Sequence, residues 1–564
     1  MEREVEPPQR PAVRWLSPVE LARTGIEVAI AGVVTAYSDK RDVMSGTTFT
    51  QEPAAFTAAP GEEFWLDFLA DTGDGFAPTC TVATLLGRPA LEVDGHDLPR
   101  GRLLLLGGDE VYPVAGVRAY EERLEAPLTG QFVPGAEQPT VLAIPGNHDW
   151  YDGLTAFLRV FCQGRDLAAW RTQQRRSYFA ASLPHGWWVL AIDIQLDTYI
   201  DATQLEWFRA VVDRMSPGDR IILCTATPAW YGAEAGSEHA MDRLAFFLRE
   251  ILAGHDHPVR LVLTGDTHHY ARYALRRPGS TADPDDEEQV LVTAGHGGAY
   301  TSATHFLEPA LDVTTDLADP GPHRSHTTHR YELGPRVFPT ARESRLEAWR
   351  VLYRLPWRNG AALLLLLAVL QGLVIVPAVL GLRILVGVGA VVVAGVCFGL
   401  VAPQRPGAPR KILFTALLAL PELIVAGVSV WVARALGGAL AATAVVLVAG
   451  LVASVVLAAF FLAYGRWTNR NELFAAQSIE DHKGFLRLRI APDGTLTVYA
   501  LGVERVPRRW RWSAGATPRW STEQNWSVHL VDEPFVLDPR QSLAEEARPR
   551  DLHRDQHRRA SREA

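Results

Sequence analysis

A layered α/β domain, then four membrane-spanning helices, then a small β-rich C-terminal unit: this is the fold that the sequence predicts, on three observations. Between about residues 56 and 320, short apolar runs alternate with helical patterns, as in sheets buried on both faces and separated by helices. From Ala361 to Tyr464 the chain is nearly free of charge. Beyond that, FLRLRI (485–490) and TLTVYAL (495–501) alternate in polarity around Pro492-Asp493-Gly494, which reads as a hairpin.

Residues 1–55 are punctuated by proline and charge and are expected to be weakly structured. The start, MEREVEPPQRPAVRW, lacks the apolar core of a signal peptide. Strands are expected in FWLDFLAD (64–71), RLLLLGGD (102–109), TVLAIPGN (140–147), WWVLAID (187–193), RIILCTA (220–226), RLVLTGD (260–266) and QVLVTAG (289–295). Helices are expected in TQLEWFRAVVDRM (203–215) and AMDRLAFFLREIL (240–252). Residues 321–359 read as a linker.

The apolar region 360–465 divides into spans at about 361–380, 383–402, 412–433 and 437–464, each long enough to cross ~30 Å of hydrocarbon. Arg345, Arg350, Arg354 and Arg358 precede the first span. Arg405, Arg410 and Lys411 join the second to the third, and Arg466 and Arg470 follow the fourth. Positive flanks stay inside, so both soluble parts are expected in the cytoplasm, with the protein integral to the cell membrane. Residues 466–538 are expected to form a small β-rich unit, including the tryptophans of RRWRW (508–512), either free or packed on the preceding α/β domain, and 539–564 a disordered tail.

The 564 residues carry 55 Lys+Arg against 64 Asp+Glu, a net charge of -9, so no global basic field recruits nucleic acid. Cys80, Cys162, Cys224 and Cys397 form no CxxC pair and lie in or beside apolar runs, which favours reduced, buried thiols.

Four of the predicted strands end alike, in Asp71-Thr72-Gly73-Asp74, Gly108-Asp109-Glu110-Val111-Tyr112, Gly146-Asn147-His148-Asp149 and Gly265-Asp266-Thr267-His268. In layered α/β sheets, ligands gather where strands end. Carboxylate, phenol, amide oxygen and imidazole together suit hard or borderline divalent and trivalent metals. The polar cluster reads as a metal site.

The order Asp-x-Gly, Gly-Asp-x-x-Tyr, Gly-Asn-His-Asp, Gly-Asp-x-His-x-Tyr-x-Arg resembles the calcineurin-like metallophosphoesterase superfamily over roughly residues 60–310. Gly73 and Tyr112 look like its purple acid phosphatase variant. The resemblance implies an αββα sandwich that holds one or two metal ions of the iron, manganese or zinc class. Asp71, Asp109, Tyr112 and His268 would ligate the first ion. Asp109 would bridge to a second, which takes Asn147 and Asp266. Ala226 stands where the family places a histidine, so the second ion is expected to be weaker, differently liganded or absent. Asp74 reads equally as a compensating ligand or as a loop cap.

The implied reaction is hydrolysis of a phosphomonoester or phosphodiester by metal-bound hydroxide, with His148 as general acid. Two other classes stay open: a degenerate metal-binding regulator, and an accessory domain of a transporter. For the latter, Glu422 is the only obvious intramembrane carboxylate. Gly254-His255-Asp256-His257 spells a family block, but it follows a helix and precedes a strand, at the wrong end of the sheet, and is expected to be a solvated loop. His296 and His305 follow the last strand and read either as substrate contacts or as structural.

Overall fold

The computed structural model describes residues 6–26, 51–132, 138–195, 200–231, 240–276, 287–314, 328–405, 407–514 and 519–539. Each expected strand forms. The first sheet runs, in spatial order, Ala54–Ala55, Phe179–Leu183, Trp187–Ala191, Arg220–Cys224, Val259–Thr264, Glu287–Ala294, Tyr270–Arg276, Thr328–Leu333 and Ala310–Thr314. The second runs His529–Leu530, Leu496–Val503, Lys483–Ile490, Phe64–Leu69, Leu103–Leu106, Thr140–Ala143, Trp170–Thr172 and Asp166–Leu167. Phe535–Leu537 also pairs with Leu496–Val503.

Side-chain alternation explains the layers. Phe64, Leu66 and Phe68 turn into the core between the sheets, where they join Val189, Ile222, Leu261 and Val292. Trp65 and Leu69 turn outward, toward the helices Phe76–Gly87 and Thr155–Phe161. Ala202–Val212 and Ala240–Leu252 cover the outer face of the first sheet. This is an α/β sandwich with a helical layer outside each sheet. In the second sheet Phe64–Leu69, Leu103–Leu106 and Thr140–Ala143 are parallel. In the first, Arg220–Cys224 and Val259–Thr264 are parallel. Their carboxyl ends therefore gather the connecting loops at shared edges.

Four apolar helices follow, Gly360–Val379, Arg383–Leu400, Ala408–Leu436 and Ala439–Tyr464, each long and apolar enough to cross a membrane. Within the bundle Gln371 Nε2 donates to Glu422 Oε2 at 2.8 Å, which gives the one carboxylate of these four helices a local partner. The four cysteines are free and buried.

Three expectations about the connecting regions need correction. The C-terminal hairpin forms, with Gly494 at φ +85°, but not as a unit of its own. Lys483–Ile490 pairs antiparallel with Phe64–Leu69, Leu488 opposite Leu66, so the segment after the spans completes the second sheet. Its tryptophans pack on the same domain: Trp520 lies 4.7 Å from Phe76, and its Nε1 donates to Ala126 O at 3.0 Å. The presumed linker contributes the strand Thr328–Leu333 to the first sheet and the helices Ala341–Trp349 and Val351–Arg358. In the N-terminal extension, Val13 and Leu16 are buried, because polar groups of the domain hold that segment down. The tail beyond 539 lies outside the described residues.

Candidate metal centre

Three of the four acidic strand ends adopt a backbone that side chains other than glycine rarely take. Asp71, Asp109 and Asp266 have φ of 56°, 54° and 64°. Aspartate tolerates this region better than most residues, yet three instances at one edge mark a functional constraint. The glycines between them permit close approach. A β-carbon on Gly146 would lie 2.0 Å from Asp109 Oδ1, and one on Gly295 would lie 2.2 Å from Asp71 Oδ2.

The phenol oxygen of Tyr112 is the hub. It donates to Asp71 Oδ1 at 2.7 Å, lies 3.3 Å from Asp109 Oδ2 and stands 3.1 Å from His268 Nε2. His268 Nε2 is also 3.6 Å from Asp71 Oδ1. All four side chains are buried. The structure thus brings together the four residues expected around a first ion, from loops in both sheets.

Burial, then mutual repulsion with Asp109 and Asp266, raises the Asp71 pKa well above the ordinary range. Burial lifts Asp109 to about 7, and burial followed by the Asp109 charge raises Asp266. Burial and the two neighbouring carboxylates likewise raise Tyr112, so its proton stays on. Burial also keeps the His268 imidazole neutral. Among the described residues no Lys or Arg forms an ion pair with these three acids, and buried Asp71 Oδ2 has no hydrogen-bond partner.

No three or more His, Cys, Asp and Glu side chains among the described residues close into a ready cation cage. The tyrosine, which lies outside that donor class, is what joins them. A buried acid cluster with an orphaned oxygen, a neutral imidazole and a central phenol fits a single cation. Such an ion would relieve the repulsion and displace the phenol proton.

The other expected residues divide. Asp266 is half-buried, its charge raises the Asp71 pKa, and the Asp109 charge raises both. Asn147 opens the short helix Asn147–Trp150, and its Nδ2 donates to Tyr151 Oη at 2.8 Å, leaving its Oδ1 as the metal-binding type of atom. His148 is fixed twice: its N–H donates to Asp109 Oδ1 at 2.9 Å, and its Nδ1 lies 2.6 Å from Pro113 O. Desolvation lowers its pKa to about 4. Ala226 lies against Gly108, so the methyl group does stand at the centre's edge.

Asp74 is not poised as a ligand. Its Oδ1 accepts from Val13 N at 2.7 Å, and its Oδ2 accepts from Tyr300 N at 3.1 Å and Trp15 Nε1 at 3.3 Å. His296 is buried beneath Gly484 and Phe338, and His305 Nδ1 pairs with Ser344 Oγ at 2.7 Å. Of the decoy pair, His255 is exposed, but His257 is buried and stacks on it at 5.7 Å between centroids.

Further residues line the site, and of these Trp15 and Tyr300 carried no sequence signal. Trp15 packs edge-on against Tyr112, His148 and Tyr300 at 5.6, 5.7 and 5.3 Å, and so roofs the centre from far away in the chain. Tyr300 meets the His268 ring at 4.4 Å. Glu110 and Asp149 form a buried acidic layer beneath, where Asp149 Oδ2 accepts from Gly146 N at 2.8 Å and Tyr120 Oη donates to Asp149 Oδ1. Tyr151 stands one helical turn past Asn147, and that spacing would have found it.

Residues 66–270 match the model for calcineurin-like phosphoesterase. No curated protein matches the chain. Among solved structures, GAP50, the anchor in the inner membrane complex of Plasmodium, aligns at 13% identity and TM-score 0.32, covering 49% of this chain and 80% of that one. Purple acid phosphatase PPD1 from yellow lupin (Lupinus luteus) seeds aligns at 13% and 0.30, covering 49% and 48%. PhoD aligns at 12% and 0.27, covering 50% and 68%. By the family match, the segment 66–270 of this chain belongs to the calcineurin-like phosphoesterases.

Proposed function

We propose that the protein is a membrane-anchored, metal-dependent phosphoesterase that hydrolyses a phosphomonoester or phosphodiester. The observation that carries this reading is the convergence of Asp71, Asp109 and His268 on the phenol oxygen of Tyr112, within a segment that matches the phosphoesterase family. These four residues would hold one ion of the iron, manganese or zinc class, and Asp109 would bridge to a second that takes Asn147 and Asp266. When bound, the metal supplies Lewis acidity toward the phosphoryl oxygens and a water acidic enough to attack phosphorus.

The chain's own residues do the rest. With Nδ1 committed to Pro113 O, His148 has Nε2 for passing a proton to the leaving oxygen. Burial disfavours its charged form, so an anionic substrate is needed to hold the proton there. Metal analysis coupled to a panel of phosphoester substrates, with and without chelator, tests the function. Turnover that survives complete metal removal would sink it. Ala226 and the Trp15 roof favour one rival, a metal-binding regulator without turnover; sustained metal-dependent hydrolysis tells the two apart.

The two ion positions are unequal. Titration is expected to give one tight and one weak equivalent, and Tyr112→Phe to loosen the tight one by at least about 10-fold. Two equally tight equivalents that ignore Tyr112 would overturn this assignment.

Both soluble parts are proposed to face the cytoplasm, on the strength of the basic flanks of the spans. Cysteine labelling near the N-terminus and after residue 470 checks this. Reaction from outside intact cells at either place would reverse the topology.

A further inference from the structure

The helices Ala341–Trp349 and Val351–Arg358 lead into the first span and present two unlike faces. Ser344, Ala348, Val351 and Leu355 are buried against the protein. Leu346, Trp349, Tyr353 and Trp357, on the opposite side, are 54, 63, 56 and 71% exposed. Successive members stand three or four residues apart, so they form one apolar ridge. A water-facing helix would carry polar side chains there, and an uncovered aromatic stripe marks a contact surface.

What covers it follows from its position. The ridge ends at Asn359, and Gly360 begins the first span, so the lipid around that span continues onto it. Exposed Arg345, Arg350 and Arg358 flank the stripe. Trp and Tyr beside Arg are the residues that settle at the headgroup level. With four spans, Trp467 after the last one stands at the same membrane face, and it is 55% exposed.

Two short paths tie the candidate metal centre to this ridge. Tyr300, against His268, opens the loop in which Thr304 N–H donates to Ser344 Oγ at 3.0 Å. Trp15, against Tyr112 and His148, is followed by Leu16, whose N–H donates to Asn359 Oδ1 at 3.0 Å. Leu16, Tyr300 and Ala303 share one apolar cluster with Leu355 and with Leu363 of the first span. With 3.8 Å per residue step and the side chains between, the path through Trp15 and Leu16 places the centre within roughly 25 Å of that span's first turn. The headgroup layer rises ~5–7 Å above the hydrocarbon.

We propose that the phosphoester hydrolysed here is carried on a membrane lipid, presented to the centre by the interface in which the 341–358 ridge lies; this rests on the phosphoesterase reading above. The full chain, reconstituted with manganese in phosphatidylcholine vesicles, is given dioleoyl phosphatidate or phosphatidylglycerol, their dihexanoyl forms in solution, and p-nitrophenyl phosphate with its bis ester. The bilayer-borne lipid is expected to show kcat/KM at least about 10-fold above its short-chain form. The combined Trp349→Ser, Tyr353→Ser and Trp357→Ser variant is expected to lose that preference while its p-nitrophenyl ester rates hold. A nitroxide at Tyr353→Cys reads the geometry independently of activity and is expected to collide more with oxygen than with a water-soluble nickel chelate. Equal use of both chain lengths overturns the proposal. So does a nickel accessibility at 353 equal to that of a label at exposed Asp213→Cys. Failure to hydrolyse any of these esters with metal bound would instead overturn the phosphoesterase reading itself.

Discussion

The Asp109→Asn protein is expected to lose bound metal and phosphoester hydrolysis together, each by at least about 100-fold. Asparagine is nearly isosteric, tolerates the left-handed backbone at φ 54°, and still accepts the His148 N–H. What disappears is one ionisable carboxyl from a cluster of three whose charges oppose one another. The same change is expected to stabilise the metal-free protein, because burial and repulsion press on Asp71 and Asp266 while Asp109 is ionised. Metal content, turnover and apo thermal unfolding are read on one preparation. His148→Ala is the contrast: metal retained, with the rate for poor leaving groups down by ~10²–10⁴. Full metal occupancy in Asp109→Asn would remove Asp109 from the site. Parental rates in His148→Ala would remove the acid.

Most of the candidate site was legible because strand ends are local. An apolar run that ends in a carboxylate beside glycine is visible in a few residues: Asp109 and Asp266 each follow a glycine, and Asp71 ends its run two residues before Gly73. The four apolar helices were legible for a different reason: each is nearly free of charge over its whole length, so composition alone reveals it. Pairings over long sequence separation were not legible. FLRLRI announces a strand but says nothing about its neighbour, and the partner, FWLDFL, lies more than 400 residues earlier. Trp15 and Asp74 illustrate the same limit. Asp74 could be read as ligand or cap until Val13 and Trp15, 61 and 59 residues away, supplied its hydrogen bonds. Hydropathy tells which side chains are buried, not what buries them.

Arg487→Met is expected to cost about 3–5 kcal/mol, since it leaves the Asp67 carboxylate buried without its cation. Arg487 Nε donates to Asp67 Oδ1 at 2.7 Å and Nη2 to Oδ2 at 3.1 Å, with side-chain exposures of 0% and 4%. This bidentate pair joins the strand after the four apolar helices to the first strand of the phosphoesterase segment. Reversing the order of removal distinguishes charge from packing: Asp67→Leu alone strands the guanidinium and should cost as much. Combining it with Arg487→Met removes both charges and should recover much of the loss, because an apolar pair of similar volume replaces the ions. Recovery stays incomplete. Arg487 Nη1 also donates to Leu98 O at 2.9 Å and Gly101 N donates to Asp67 Oδ2 at 3.2 Å, so two backbone groups lose partners worth about 1–3 kcal/mol each. Denaturant unfolding of the full chain in detergent, followed by tryptophan fluorescence, gives all four values. Additive losses in the double variant would show that the pair does not act as a unit. If it does act as one, a chain cut anywhere between the spans and Lys483 should fail to fold its phosphoesterase domain, because Asp67 would then face an unpaired sheet edge with no cation.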